Sequence, residues 1–340
     1  MKKFLSMLLA LVLVLSMSTV AFATEGDESD TPSTPATYED MTTVTLTKEY
    51  KLTNAGTTSP AETFSFSTLT CTGVENGGVG VTAQNAPVPT IGSASFEAGA
   101  AGDATKGKQT ITITLPTYSA VGVYTYTFTE TDGGTAGVTY RQNAITLKVT
   151  VIEQNGKVRV AAVHTEEAGA AKSGTFDNTY SAGSLEVKKN VTGNMGDHEK
   201  EFTVKVTFTA PTGDTVKEAI SYTDGTENKT IAANWTDGKA EATITLKHDE
   251  TVTFTNIPYG VTYVVDENDY TGDGYDAAAY DANKTGTIGA ASVSTTITNN
   301  KGASVDTGIV MDSMPYILLL AVAFVGLFVF FSKKRMMRDF

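Results

Sequence analysis

Between residues 44 and 300 the chain is a series of short runs in which apolar and polar side chains alternate one by one. They include VTLTKEY (44–50), ETFSFSTLT, KQTITITLP, GVYTYTFTE, AITLKVTVIEQ, FTVKVTFTA, EATITLKHDE, TVTFTNIP and SVSTTITNN. A period of two marks a strand with one buried face and is incompatible with an amphipathic helix of period 3.6. The runs are rich in Thr, Val, Ile, Tyr and Phe and are separated by Gly, Asn and Pro. That combination predicts an all-β sandwich architecture.

The pattern occurs twice. VTLTKEY (44–50) matches LEVKKNV (185–191), and TFSFS (63–67) is similar to FTVKVTF (202–208). GVYTYTFTETD (122–132) matches GVTYVVDEND (260–269), and TFDNTY (175–180) matches TITNNK (296–301). Two tandem sandwich domains are expected, 41–180 and 184–300, joined at Ser181-Ala182-Gly183. Each is long enough for a core of its own.

Strand phase then singles out a few residues. Val44, Leu46 and Lys48 share one face, as do Tyr124, Tyr126, Phe128 and Glu130, and Phe176 and Asn178. The second repeat gives Leu185, Val187, Lys189, then Val261, Tyr263, Val265, Glu267, then Val293, Ile297, Asn299. In both repeats a Lys, a Glu and an Asn, in that order, end an apolar face. The same phase turns Lys188 and Asn300 the other way.

An isolated buried ammonium or carboxylate costs several kcal/mol, so such groups are paired or neutral. One explanation is a buried Lys–Glu ion pair completed by Asn. The other is chemical. Desolvation lowers the pKa of a lysine and raises that of a glutamate, and the two shifts belong to the pair. A free amine beside a carboxamide is a nucleophile beside an acyl carbon. A protonated Glu can hydrogen-bond the amide oxygen and carry a proton to departing ammonia. The product is a Lys–Asn isopeptide bond between the first and last strands of a domain. Occurrence of the trio in both repeats favours chemistry over a structural ion pair.

The ends give an address. Met1-Lys2-Lys3, the apolar stretch from Phe4 to Val20 and Ala21-Phe22-Ala23 read as a secretory signal peptide, residues 1–23. Residues 24–40 read as a disordered acidic linker. An apolar segment at 316–331 precedes Lys333, Lys334, Arg335 and Arg338. It is shorter than the about 20 residues of a stable span, and the basic tip holds that end on the cytoplasmic side.

Composition excludes several classes. The whole chain carries a net charge of −13, and setting aside its two ends leaves 19 basic against 36 acidic residues at 24–307. Nucleic acid and anionic membrane surfaces are therefore not its partners. The single cysteine, Cys71, forms no internal disulfide and lies between Thr70 and Thr72 as a strand residue. DENDYTGDGYD (266–276) lacks EF-hand spacing, GGVGV (77–81) has no nucleotide-binding context, and His164, His198 and His248 have no metal spacing. No metal and no cofactor are expected, and no hydrolase triad is present. The isopeptide chemistry is single-turnover self-modification, so an enzyme is not expected.

These residues resemble the backbone pilins of Gram-positive bacteria, the T-antigen-like family with two domains crosslinked by self-formed isopeptide bonds. The likeness covers most of 41–308 through VTLTKEY, GVYTYTFTE, TFDN, LEVKKNV, LKHDETVTFTNIPYGVTYVVDENDY and TITNNK. It implies immunoglobulin-like sandwiches akin to the CnaB type. It also implies bonds Lys48–Asn178, assisted by Glu130, and Lys189–Asn299, assisted by Glu267.

The resemblance further makes 304–340 a sortase sorting signal. Ser304-Val305-Asp306-Thr307-Gly308 stands where the family has an LPxTG-type pentapeptide; it keeps Thr-Gly and lacks the Leu and Pro. Sortase would cut between Thr307 and Gly308 and hold Thr307 as a thioester. Lys172, in GAAKSGTFDN, stands about where such pilins carry the lysine that attacks the next subunit; an ordinary solvated lysine is the alternative. The implied partners are sortase, identical subunits in a covalent polymer, and peptidoglycan or accessory pilins, with the membrane met only before cleavage. The implied role is a structural pilus subunit on the cell surface; the alternative is a monomeric wall-anchored adhesin.

Overall fold

The computed structural model describes residues 40–167, 172–223, 227–281, 283–303 and 314–336. The expected signal peptide and acidic linker, up to residue 39, and Thr307 and Gly308 lie outside the described residues.

The first sandwich comprises β1 (Thr43–Leu52), β2 (Glu62–Phe64), β3 (Thr70–Glu75), β4 (Thr90–Ile91), β5 (Ala94–Phe96), β6 (Lys108–Thr114), β7 (Gly122–Phe128), β8 (Val138–Thr139), β9 (Ile145–Gln154), β10 (Lys157–Glu167) and β11 (Thr175–Tyr180). One sheet has the order β4-β6-β1-β11-β8 and the other β10-β9-β7-β3, with β2 and β5 forming a separate pair. Leu46, Ile111 and Ile113 of the first sheet are buried with Tyr124, Tyr126, Leu147 and Val149 of the second. The β9–β10 hairpin turns on Asn155-Gly156, both at positive φ, a conformation that makes Asn-Gly the favoured two-residue turn.

The second sandwich comprises β12 (Ala182–Thr192), β13 (Phe202–Thr209), β14 (Ile220–Thr223), β15 (Asn228–Ile231), β16 (Lys239–Leu246), β17 (Thr251–Pro258), β18 (Thr262–Glu267), β19 (Ala279–Tyr280), β20 (Thr285–Thr287) and β21 (Ser292–Asn300). Its sheets run β15-β14-β17-β12-β21-β19 and β16-β13-β18-β20. Val187, Phe254 and Ile297 of one are buried with Val204, Val206 and Val265 of the other.

In both sandwiches the first and last strands are neighbours and run parallel, β1 with β11 and β12 with β21. Parallel pairing needs a long crossover between partners. Here the crossover is the rest of the domain, so a bond between these two strands would close nearly all of it.

The joint between sandwiches is tighter than Ser181-Ala182-Gly183 suggests. Only Ser181 separates β11 from β12, and Ala182 and Gly183 already belong to the latter strand. A Cβ on Gly183 would meet the Ala290 carbonyl oxygen at 2.2 Å, so the approach of the chain to β21 requires glycine there. Ala136 of the first sandwich is buried in the second core, and Thr135 bridges Thr215. Lys217 Nζ reaches the buried Glu62 Oε2 at 2.9 Å, and Asn54 Nδ2 donates to the Tyr259 hydroxyl at 2.6 Å.

The apolar C-terminal segment forms α1 (Met314–Met336), 23 residues, or about 34 Å at 1.5 Å per residue. Its stretch Tyr316–Lys333 has a mean hydropathy of 2.3 and is long and apolar enough to cross a membrane.

Candidate functional site

Each lysine lies on the first strand of its sandwich and each asparagine on the last, and the parallel register brings them together identically. Lys48 is opposite Phe176, two residues before Asn178, and Lys189 is opposite Ile297, two residues before Asn299. The glutamate comes from the facing sheet. Glu130 lies two residues beyond β7, where it bridges Phe66, whereas Glu267 is the last residue of β18, opposite Val204. Each triad therefore spans both layers of its sandwich, and all four Lys and Glu side chains are fully buried.

In the first triad Lys48 Nζ lies 2.6 Å from Glu130 Oε1 and also donates to Asn178 Oδ1. Glu130 Oε2 accepts from Asn178 Nδ2 at 3.0 Å and from the Arg141 main-chain N–H at 2.6 Å. The rings of Phe64 and Phe66 face the lysine nitrogen with centroids 4.8 and 5.7 Å away. The carboxyl thus faces the amide nitrogen and not, as chemistry alone suggested, the amide oxygen. That position suits it to take a proton from Nζ and give it to the leaving nitrogen.

The second triad is braced differently. Lys189 Nζ donates to Asn299 Oδ1 and lies 2.7 Å from Glu267 Oε1. Unlike Glu130, Glu267 has neither a main-chain N–H nor the asparagine amide on its carboxylate among the described residues. The Tyr280 hydroxyl instead accepts the Glu267 main-chain N–H at 2.8 Å. Phe202 faces the lysine nitrogen at 4.0 Å and is itself packed edge-on by Tyr270 and Tyr275.

Burial pushes both lysines below their ordinary pKa, and the adjacent glutamate opposes the shift without cancelling it. For Lys48 the Arg141 guanidinium adds a smaller push in the same direction as burial. A dry amine beside a carboxamide and a proton carrier is the arrangement needed for acyl transfer to nitrogen.

Lys172 stands apart from both triads. It is exposed and forms an isolated bridge with Glu166 at the end of β10. Cys71 lies at an irregularity of β3; burial raises its thiol pKa and its Sγ contacts the Gly73 carbonyl at 3.5 Å, the surroundings of an inert thiol. In the acidic loop after β18, Asp269 accepts the Thr271 N–H and Asp276 accepts from Asn300 Nδ2.

Three supports escaped the sequence reading. Phe64 and Phe202 had a signal: Phe66 opposes Glu130 and Val204 opposes Glu267, so the match of TFSFS with FTVKVTF aligns the two rings two residues earlier. The Arg141 N–H had none, since every residue but proline carries one. Tyr280 sits on a two-residue strand with no pattern to read.

A model described as a Spy0128-like isopeptide containing domain matches residues 43–181, and one described as a domain of unknown function (DUF7601) matches 183–301. A pilin of Streptococcus pyogenes serotype M1 is 31% identical over 321 residues, covering 86% of this chain and 90% of the relative. The crystal structure of the major pilin from Streptococcus pyogenes superposes with a TM-score of 0.52 at 23% identity, covering 77% of this chain and 99% of that one. The major pilin T3.2 of Streptococcus pyogenes serotype GAS13637 gives 0.53 at 21% identity, with coverage of 77% and 99%. At such identities the two structures bear on fold, and they share this chain's all-β architecture.

Proposed function

The chain belongs to the pilin family of Gram-positive bacteria and is a structural subunit of a cell-surface pilus, and from that premise we propose that both of its triads condense into isopeptide bonds. A proton passes from the lysine ammonium to the glutamate carboxylate, leaving Nζ free to attack Cγ of the asparagine. The tetrahedral intermediate collapses as the glutamate returns that proton to the amide nitrogen, and the second proton of Nζ passes through the same carboxylate to the departing ammonia, which leaves as ammonium. The products are Lys48–Asn178 and Lys189–Asn299 amides, with Glu130 and Glu267 regenerated. No oxidant, metal or cofactor is needed, and each reaction occurs once per molecule.

The observation that carries this proposal is the repeat of one lysine-to-asparagine register in two separate buried sites. The test is the intact mass of the exported protein. Two missing ammonia masses are expected, and Lys48→Ala or Lys189→Ala should each restore one. An unmodified parent mass would sink the mechanism.

The subunits themselves are joined by sortase, which cuts after Thr307 and passes its carbonyl to Lys172 of another copy. The last subunit is passed to peptidoglycan or joins accessory pilins. Lys172→Ala should abolish the ladder of high-mass multimers in cell-wall extracts.

A further inference from the structure

The outer face of the β10-β9-β7-β3 sheet carries a titratable cluster that neither triad uses. Leu147, Val149 and Thr165 point into the core, so Lys148, His164 and Glu166 point outward. Lys148 is the ladder partner of His164. His164 Nε2 lies 2.8 Å from Glu166 Oε1, and Lys148 Nζ lies 3.0 Å from Glu166 Oε2. Both carboxylate oxygens are therefore held.

Lys172 joins this group by register. It bridges Glu166 directly, while Ser173 N–H donates to the Thr165 carbonyl at 3.1 Å and Thr165 Oγ1 donates to the Ser173 carbonyl. Residues opposite one another in an antiparallel pair project to one face with Cβ atoms about 5 Å apart. Lys172 is therefore on the same face as Glu166 and His164, directly across from Glu166, and its exposed side chain is long enough to reach that pair. At Gly174, two residues further on, even an added Cβ would meet nothing within 4 Å, so the approach is open.

A lysine that attacks a thioester must first lose a proton. We infer that His164, oriented by Glu166 and Lys148, accepts that proton from Lys172 when it is joined to Thr307 of another subunit. The inference rests on Lys172 being the polymerising lysine. The balance is simple: one ammonium proton passes to His164, the free amine attacks the Thr307 thioester, and the second proton leaves with the sortase sulfur as thiol. Lys148 and His164 hold the Glu166 carboxyl below the usual range, so it remains an anion that orients the ring and does not itself take the proton. Imidazole ordinarily titrates near neutral pH, where a lysine by itself is almost wholly protonated. The charged groups next to His164 on this face are Lys148 from β9, Glu166 from β10 and Lys172; Arg159 of β10 and Glu75 of β3 lie further along the same face, and β7 contributes Thr125 and Thr127.

The test uses the full chain and the sortase that polymerises it, with multimer formation measured across pH and normalised to hydroxylamine release from the same acyl-enzyme. His164→Gln should slow multimer formation about 100-fold at pH 7, with recovery towards the parent rate above about pH 10, where lysine deprotonates unaided. Glu166→Gln should slow it about 10-fold with the same recovery. Intact masses equal to the parent's, apart from the substitution, show that the variants fold. A parent-like rate for His164→Gln at pH 7, with no multimers from Lys172→Ala, overturns the role of His164 and leaves Lys172 in place. Multimers from Lys172→Ala overturn both.

Discussion

The two triads share three residue types, one register and full burial, yet opposite members of each are braced. In the first sandwich the carboxylate is fixed by the Arg141 N–H and the Asn178 amide, and the lysine lies 4.8 Å from its nearest ring. In the second the lysine lies 4.0 Å from a well-packed ring, and the carboxylate has only the ion pair. What recurs is the set of parts the reaction needs: an amine, an acyl carbon and a proton carrier. How those parts are held is free to differ, because either brace lowers the cost of bringing them together.

The largest expected effect comes from removing a proton carrier. Glu130→Ala and Glu267→Ala should each leave one ammonia in place and one loop open. The loops span 130 and 110 residues, so chain entropy assigns either bond about 5 kcal/mol, a fall of roughly 10–20 °C in unfolding temperature. Their difference in length is worth only about 0.15 kcal/mol. Calorimetry of the two variants should therefore give similar losses. A variant that keeps its full ammonia deficit would remove its glutamate from the chemistry and break the equivalence of the sites.

The next effect is kinetic. An oriented carboxylate should let the first sandwich lose its ammonia sooner, which a mass time course on freshly synthesised protein can follow. Tyr280→Phe removes the hydroxyl that fixes the Glu267 main chain and should slow the second bond about 10-fold while sparing the first. Equal slowing of both bonds would mean that Tyr280 acts on folding and not on its own triad.

This contrast also separates what the sequence could reveal from what it could not. Lys48, Lys189 and both asparagines were legible because a period-two pattern assigns faces, and a charged or amide residue on an apolar face stands out. The glutamates were legible for the same reason, although Glu130 lies beyond the end of β7. The orientation of each carboxyl was not, because it depends on a main-chain donor in the Arg141 loop and a hydroxyl on β19, and neither follows from periodicity. The adjacency of β1 and β11 followed from the chemistry of the trio, since alternation fixes faces but not neighbours. The tightness of the joint escaped for a related reason: three small residues read as a linker, whereas the approach of β12 to β21 is what demands Gly183.

The smallest effect tests the difference in lysine support through pH. Glu130→Gln leaves Lys48 buried and unreacted, and its ammonium remains harder to form in the folded than in the unfolded chain. Between the lowered folded pKa and the ordinary value of about 10.4, the unfolded chain binds a proton that the folded chain lacks, so stability rises with pH. Lys48→Met/Glu130→Gln removes that titration while other groups titrate unchanged, so the difference between the two variants isolates Lys48. The same pair at Lys189 should give a shallower rise, because the Phe202 ring at 4.0 Å favours the ammonium more than Phe64 does at 4.8 Å. Denaturant titrations from pH 7 to 10 read both slopes. Equal slopes would dismiss the aromatic contribution, and a fall with pH at either site would mean that its lysine is stabilised as a cation and is no nucleophile.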